Sequence, residues 1–269
     1  MQNEILNFFG RIHAQYIHAR GEQGTRVLIQ SLNCQPEEEI LEIGCGTGTT
    51  LIQLFSNNKK TKFYGIDLSP LMLKKAKSRL RFCMTGDLVK LGLMQNRTKI
   101  PFESNSFDKI YLESVLGIQE GDDLKDLLME IRRVLRANGT LLMNETIWLD
   151  STPPEKILHI NEFCKRSFGI VQCTSHYPYL KDWKVLLASM NFNCESIIVL
   201  DDVKNDLKSE FKFPYGLLSF LYTASGKIKS NLIPSLRSEK KEFYLKMKLI
   251  LPDNTPIMGG VLIKAHLDK

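Results

Sequence analysis

The chain has 269 residues, of which 43% are hydrophobic and 25% are charged, and its formal net charge is +6. This composition is typical of a globular protein with one large domain or with one domain that carries an insertion. No apolar run approaches the ~20 residues that span a bilayer, and the first residues lack the pattern of a secretory signal. We therefore expect a cytoplasmic protein without a membrane partner.

Cysteines and basic residues are both scattered along the chain. The six cysteines form no C-x-x-C pair and have no neighbouring histidine pair, so we expect reduced thiols and no metal site. The basic excess lies in residues 151–269, which contain 17 Lys/Arg and 12 Asp/Glu. A nucleic-acid interface would show clustered basic residues with interleaved aromatics, so we expect no nucleic-acid partner.

Two helices are predicted ahead of the first strand, at residues 5–20 and 25–32, separated by Gly21 and Gly24. Beyond them, β-rich runs alternate with helix-like segments, which indicates a parallel sheet flanked by helices. The predicted strands lie at residues 39–43, 62–66, 81–85, 107–112 and 140–145, and the third of these has the weakest pattern. The helices between them are predicted after Thr47, at residues 70–79 with Ser69 as N-cap, and at residues 122–135.

The regular alternation stops near residue 151. The segments predicted after that point are helical residues 155–190 with a loop around 173–178, a strand at 192–200, an irregular insertion at 201–237, a helix at 239–251 and a closing strand at 258–266. The helix at 239–251 is ambiguous, because Leu245, Met247 and Leu249 alternate with other residues as they would in a strand.

The segment from residue 39 to residue 50 joins a strand, a glycine-rich turn and a helix start. Glycines 44, 46 and 48 let the backbone approach a ligand closely, and the first turn of the helix exposes unpaired N–H groups. A small polar ligand fits such a turn. The dinucleotide fingerprint G-x-G-x-x-G requires glycine at position 49, where this chain has Thr49, so a nicotinamide oxidoreductase is disfavoured.

The pattern present instead is E-x-G-x-G-x-G from Glu42, and it resembles motif I of the class I S-adenosylmethionine-dependent methyltransferases. Four further matches follow in the order of that family. They are Asp67 at the end of the second strand, Gly86-Asp87-Leu88, the stretch at residues 100–108 and the stretch at residues 130–139. The matches fall within residues 39–148, a little over 40% of the chain.

The resemblance implies an α/β fold, with a Rossmann-like sheet, helices on both faces and a helical lid from N-terminal and C-terminal insertions. It divides the chain into N-terminal helices that cover the cofactor cleft (1–36), a cofactor-binding core (37–150), and lid insertions with the last strands of the same sheet (151–269). The implied cofactor is S-adenosyl-L-methionine. Its expected contacts are Glu42, Gly44, Cys45, Gly46 and Gly48 at the amino-acid end, Asp67 and Leu68 at the ribose, Asp87 and Leu88 at the adenine, and Tyr16 above it.

The methyl acceptor would lie off the carboxyl ends of the strands, which makes Glu113 the first catalytic candidate. Glu113 could equally be a strand-end carboxylate in solvent or at a helix cap. Family members that act on small molecules often have a histidine a few positions later, where this chain has Gly117-Ile118.

Other candidates come from the segments expected to form the lid. Tyr16, His18 and Arg20 could line the site or pack on the surface. His176 and Tyr177 form the best local pair in the second half, although aromatic residues near prolines commonly pack a loop onto its own domain.

The sequence thus predicts methyl transfer to a small organic molecule, by an in-line displacement in which positioning and desolvation are the main catalytic effects. The acceptor atom, whether nitrogen, oxygen or carbon, is left open. A non-catalytic S-adenosylmethionine-binding module, or a partner subunit, is the alternative. The expected assembly is a monomer or a homodimer.

Overall fold

The computed structural model describes residues 4–203, 211–250 and 256–268. The strands are β1 (Glu39–Ile43), β2 (Lys62–Asp67), β3 (Val89–Leu93), β4 (Phe107–Glu113), β5 (Leu135–Trp148), β6 (Phe192–Val199) and β7 (Met258–Leu267). The helices are α1 (Glu4–Arg11), α2 (Gly21–Leu32), α3 (Thr49–Asn57), α4 (Pro70–Phe82), α5 (Asp123–Val134), α6 (Pro154–Phe168), α7 (Leu180–Ser189), α8 (Tyr215–Leu232) and α9 (Pro234–Ile250). Within these residues, none of the helices has the length and apolarity needed to cross a membrane.

All seven strands form one sheet in the order β3-β2-β1-β4-β5-β7-β6. The first five are parallel, and β7 inserts antiparallel between β5 and β6. Helices α5 and α7 pack their apolar side chains on one face of the sheet, while α2, α3 and α4 pack on the other. The predicted α/β sheet with helices on both faces is confirmed.

A third apolar cluster lies beyond the end of β5 and joins α1, α6 and α9 around the buried Trp148. The prediction of a helix at residues 239–251 is confirmed over the described residues, and the strand alternative is wrong, since α9 runs from residue 234 to residue 250. The prediction of an irregular insertion at 201–237 is wrong, because residues 215–232 form α8. Residues 204–210 and residue 251 fall outside the described residues.

Two other predicted elements differ from the structure. Residues 81–85 are not a strand: α4 continues to Phe82, where Leu80 and Cys83 pack into the core, and the third strand is β3. The first helix ends at Arg11 instead of residue 20. The chain then forms a loop in which Tyr16 and Arg20 have left-handed backbone conformations. This loop crosses the carboxyl edge of the sheet, where its contacts with the glycine turn and β4 replace helical hydrogen bonds.

Candidate functional site

The glycine turn after β1 forms the floor of a cleft at the carboxyl edge of the sheet. Gly44 has a φ of +74°, and a Cβ atom there would lie 2.4 Å from Cγ2 of Val115. Gly46 also has a positive φ, of +51°, with no atom within 4 Å of a Cβ position. The N–H groups of Gly44 and Cys45 both donate to the carbonyl of Ile66, at 2.8 and 2.9 Å. The turn is therefore held rigidly against β2, and its backbone at Gly46 is open to a ligand.

Two carboxylates flank this turn, that of the buried Glu42 and that of the half-buried Asp67. Glu42 accepts a hydrogen bond from the hydroxyl of Tyr111 at 3.0 Å, and Asp67 accepts from the N–H groups of Gly46 and Ser69 at 2.9 and 2.8 Å. Burial raises the pKa of Asp67, and burial together with the nearby Glu113 carboxylate raises the pKa of Glu42 well above its usual value. None of the ion pairs found in the described part of the chain involves either group. A cationic ligand would relieve this uncompensated negative charge.

Most of the residues predicted to bind the cofactor lie together around the cleft. Those that line it are Tyr16, Glu42, Gly44, Cys45, Gly46, Asp67 and Leu68. Burial raises the pKa of Tyr16, whose ring makes an edge contact with His18. Gly48 lies behind the turn, where a Cβ atom would be 3.2 Å from the Cβ of Ala76. Its role in the structure is to let α3 pack closely on α4.

The structure does not bring Asp87 and Leu88 to the cleft. Both are exposed and precede β3, so they lie at the opposite edge of the sheet from the glycine turn. Their assignment to the adenine came from the resemblance to the family, in which this turn follows a strand, whereas here the turn precedes β3. At the carboxyl ends of β2 and β3, the cleft is lined by Leu68, which follows β2, and by Met94 and Arg97, which follow β3.

Glu113 lines the cleft at the end of β4 and is buried, with 5% of its side chain exposed. The interpretation as a solvent-exposed strand-end carboxylate is wrong. One oxygen accepts from the hydroxyl of Thr50 at 2.9 Å. The other accepts from Thr25 at 2.8 Å and from Asn144 at 3.0 Å. The Nε2 atom of His18 lies 3.2 Å from this second oxygen. Glu113 therefore ties the amino-terminal loop and α2 to the sheet.

His18 brings an imidazole ring next to Glu113, although the sequence has no histidine in the few residues that directly follow Glu113. It lines the cleft, and both of its ring nitrogens have partners within the protein. Nε2 lies 3.0 Å from the Thr25 hydroxyl, and Nδ1 lies 3.2 Å from the Asn144 side-chain nitrogen. Sequence spacing placed His18 near the site. It could not pair His18 with Glu113, because the two residues are far apart in the chain.

A second cavity adjoins the cleft under α1, α6 and α9, and we call it the chamber. Its lining is largely apolar and includes Phe168 and Ile170, with Phe243 and Met247 from α9. Its few polar lining groups include Glu145 on β5 and Gln172. The cleft and the chamber share the lining residues Leu6, Ile17, His18, Ser114 and Ile118.

Glu145 is a residue that the sequence reasoning missed. It is 1% exposed, and its carboxylate accepts hydrogen bonds from the N–H groups of Val115, Leu116 and Gly117 at 2.9 to 3.0 Å. Burial raises its pKa to about 7, although these three bonds act in the opposite direction. The glutamate fixes the loop that follows Glu113. In the sequence it lies inside a β-rich run, where nothing distinguished it from a partly exposed strand residue.

His176 and Tyr177 lie away from both cavities. The side chain of His176 is exposed, and Tyr177 packs against the apolar cluster of α5 and α7. Neither residue lines the cleft or the chamber. The structure thus does not bring the predicted catalytic pair to either cavity, because the loop packs onto its own domain. Arg20 also points away from the cleft lining and pairs with Asp201.

The architecture and the cleft agree with comparisons to known proteins. The profile of the methyltransferase domain family matches residues 40–139. The uncharacterized methyltransferase YodH of Bacillus subtilis is 32% identical over 160 residues, which are 60% of this chain and 64% of that protein. The segments that match this chain in three curated relatives, of which YodH is one, cover 64%, 55% and 34% of the lengths of those proteins.

One relative matches over a longer segment. The malonyl-[acyl-carrier protein] O-methyltransferase of Hamiltonella defensa is 30% identical over 203 residues, which are 70% of this chain and 71% of that protein. Among solved structures, the geranyl diphosphate C-methyltransferase of Streptomyces coelicolor A3(2), in complex with S-adenosyl-L-homocysteine, has a TM-score of 0.59. Its sequence is 17% identical, and the match covers 92% of this chain and 79% of that one. With the family profile on the same core, these matches show that the chain belongs to the class I S-adenosylmethionine-dependent methyltransferases.

Proposed function

We propose that this protein transfers the methyl group of S-adenosylmethionine to a small, largely apolar organic molecule bound in the chamber. The observation that carries the proposal is the direct junction between the cleft and the chamber, which share five lining residues. An apolar cavity with few polar groups is typical of sites for small organic ligands. The acceptors in the names of the relatives differ, from a malonyl group on a carrier protein to geranyl diphosphate, so they do not define the acceptor of this chain.

The residues around the glycine turn fit the cofactor. S-adenosylmethionine carries a sulfonium and an ammonium group, and the carboxylates of Glu42 and Asp67 at the cleft offer the negative charge that such a ligand needs. We assign the ribose hydroxyls to Asp67, because it lines the cleft and a carboxylate that accepts backbone hydrogen bonds from Gly46 and Ser69 has further acceptor positions for two hydroxyl donors. We assign the amino-acid end to Glu42 and to the backbone of Gly44, Cys45 and Gly46.

We assign Glu113 a positioning role. Both of its oxygens already accept hydrogen bonds, and the ring nitrogens of His18 have protein partners as well. These contacts hold both side chains in place, so we assign neither of them a proton-transfer role. Methyl transfer from a sulfonium is an in-line displacement that needs alignment and exclusion of water more than a base. Glu113 and His18 would contribute by holding the amino-terminal loop over the reacting atoms.

The proposal includes a small-molecule acceptor, a cytoplasmic location and no nucleic-acid partner, and it treats the chain as a monomer or homodimer. The alternative is a module that binds the cofactor without turnover, since the glycine turn would look the same. Equilibrium binding of S-adenosylmethionine, followed by an assay for S-adenosylhomocysteine release with a panel of apolar acceptors, separates the two. Tight binding without turnover on any acceptor would favour the module.

The chamber assignment has its own test. Met247→Trp should fill the chamber from α9 and raise the KM for the acceptor without changing cofactor affinity. Leu249→Trp is the matched control, because Leu249 lies on the same helix but is 68% exposed and lines neither cavity. Equal acceptor kinetics in the two variants would show that the acceptor does not bind in the chamber.

A further inference from the structure

Helix α8 buries its polar face. Its buried residues are Ser219, Tyr222, Thr223, Gly226 and Ser230. Its exposed apolar residues, with their exposed fractions, are Leu217 (50%), Phe220 (65%), Leu221 (46%), Ile228 (57%) and Leu232 (72%). The spacing of this second set corresponds to one helix face. A surface helix ordinarily buries its apolar face, so α8 has the opposite orientation.

Specific contacts hold α8 in this orientation. The buried guanidinium of Arg79 on α4 donates to the hydroxyls of Ser219 and Thr223, at 3.3 and 3.0 Å. Gly226 lies so close to the amino-terminal loop that a Cβ atom would be 2.1 Å from the carbonyl oxygen of Ile12. Rotation of α8 about its axis to bury the apolar face would break these hydrogen bonds. It would also bring larger side chains against the Ile12 backbone. The apolar face therefore stays in solvent.

The helix that follows adds exposed apolar residues and positive charge. On α9, Tyr244, Leu245 and Leu249 are 56% to 68% exposed. Residues 211–250, which include both helices, contain eight Lys/Arg and two Asp/Glu. The rest of the chain contains 28 residues of each sign, so residues 211–250 account for the whole net charge of +6. Both acidic residues are already paired, Glu239 with Arg11 and Glu242 with Lys246.

We propose that the α8–α9 pair docks on the surface of a membrane that contains anionic lipids. Exposed apolar side chains interspersed with lysines are what a helix needs to lie in the interface between headgroups and acyl chains. Each basic residue near an anionic bilayer adds about 1 kcal/mol of attraction. A second copy of the chain would bring two surfaces of the same positive charge together, and a nucleic acid would leave the apolar face uncovered.

Docking at the surface does not require a membrane span. The lack of a long apolar run in the sequence argues against a transmembrane helix. It does not argue against binding at the membrane surface. Helix α9 lines the chamber with Phe243 and Met247, while Tyr244 and Leu245 on the same helix are exposed. If the acceptor binds in the chamber as proposed above, the same helix would connect the bilayer with the acceptor site. The docking proposal itself does not depend on methyl transfer.

Sedimentation with lipid vesicles tests the proposal. We expect the full chain to sediment with vesicles of phosphatidylcholine mixed with phosphatidylglycerol, and to remain in solution with phosphatidylcholine alone. Phe220→Ser with Ile228→Ser should reduce the partition coefficient by about tenfold or more, because two exposed apolar anchors are lost. Lys227→Gln with Lys241→Gln should reduce it by about fivefold for each charge, and added salt should have the same direction of effect.

Met129→Ser with Val185→Ser is the matched control. Met129 and Val185 are 50% and 71% exposed, and they lie on α5 and α7 at the other face of the sheet. This control should sediment like the unmodified chain, and all variants should bind S-adenosylmethionine equally, which separates a failure of docking from a failure of the cofactor site. Equal sedimentation of the Phe220/Ile228 variant and the control, or no sedimentation of the unmodified chain, would overturn the proposal. Concentration-dependent dimerisation that only the Phe220/Ile228 variant abolishes would identify a second copy as the occupant instead.

Discussion

At the cleft beside the glycine turn, the carboxylates of Glu42 and Asp67 lie next to an open backbone, whereas on α8 the polar side chains are buried and the apolar ones face solvent. In both regions, side chains lie in surroundings that lower the stability of the protein when no ligand or partner is bound. At the cleft, none of the ion pairs in the described residues involves Glu42 or Asp67. On α8, apolar side chains are exposed to solvent. Such departures from the usual burial pattern are expected where a protein binds something. The comparison therefore points to a small cationic ligand in one region and to an extended anionic surface in the other.

The largest expected effect concerns Glu145, whose pKa is raised to about 7. Because the folded protein holds this proton more tightly than the unfolded chain, the stabilisation is present below the unfolded pKa of about 4.5 and is lost as pH rises through about 7. The loss is on the order of 3 kcal/mol in the free energy of unfolding. Denaturant unfolding between these two pH values should show it.

The Glu145→Gln variant separates the contribution of Glu145 from those of Glu42 and Asp67. Both of these residues also have raised pKa values, so in either protein they make the free energy of unfolding fall with rising pH. The variant should lose part of the pH dependence. Identical slopes in the two proteins would contradict a raised pKa at Glu145.

The second prediction concerns the cofactor cleft. Asp67→Ala should weaken S-adenosylmethionine binding by about 1 to 3 kcal/mol, because charge-assisted hydrogen bonds to the ribose are lost. Asp87→Ala is the matched control, and it should leave the affinity unchanged, since Asp87 is exposed at the opposite edge of the sheet. Isothermal titration calorimetry measures both. An unchanged affinity in the Asp67 variant would refute the ribose assignment.

The third prediction concerns the loop over the cleft. Glu113→Gln replaces one acceptor oxygen with a donor that faces Thr50, or Thr25 and Asn144. Turnover should fall by about tenfold, equivalent to ~1.4 kcal/mol, while cofactor affinity stays nearly the same. Steady-state kinetics measure the fall in kcat, and an unchanged stoichiometry of S-adenosylmethionine binding will distinguish it from a general loss of folded protein. Glu130→Gln, a change on α5 away from the cleft, should have normal activity, and equal activity in both variants would remove Glu113 from the mechanism.

The smallest effect concerns the two faces of α8. Thr223→Val removes a hydroxyl that accepts from Arg79, so stability should fall by about 1 kcal/mol. Ile228→Ser, on the exposed face, should change stability by less than about 0.5 kcal/mol. Thermal unfolding of the two variants compares them directly. The reverse order of effects would mean that the apolar face is the one packed against the protein in solution.

The sequence by itself determined the parallel sheet, the glycine turn and the place of Asp67. These depend on short-range patterns, in which a strand, a turn and a helix start follow one another within a few residues. It did not determine the position of Asp87, which the family resemblance assigned to the adenine, because the pattern at residues 81–89 left the start of β3 uncertain.

Only the tertiary structure decided the pairing of His18 with Glu113, the burial of Glu145 and the orientation of α8. Each depends on contacts between segments that are distant in the chain, such as the hydrogen bonds from Arg79 to Ser219 and Thr223. Periodicity predicts that a helix has an apolar face, and the usual inference is that this face is buried. On α8 a buried guanidinium and a close backbone contact outweigh that tendency, and neither is visible from the spacing of residues 215–232.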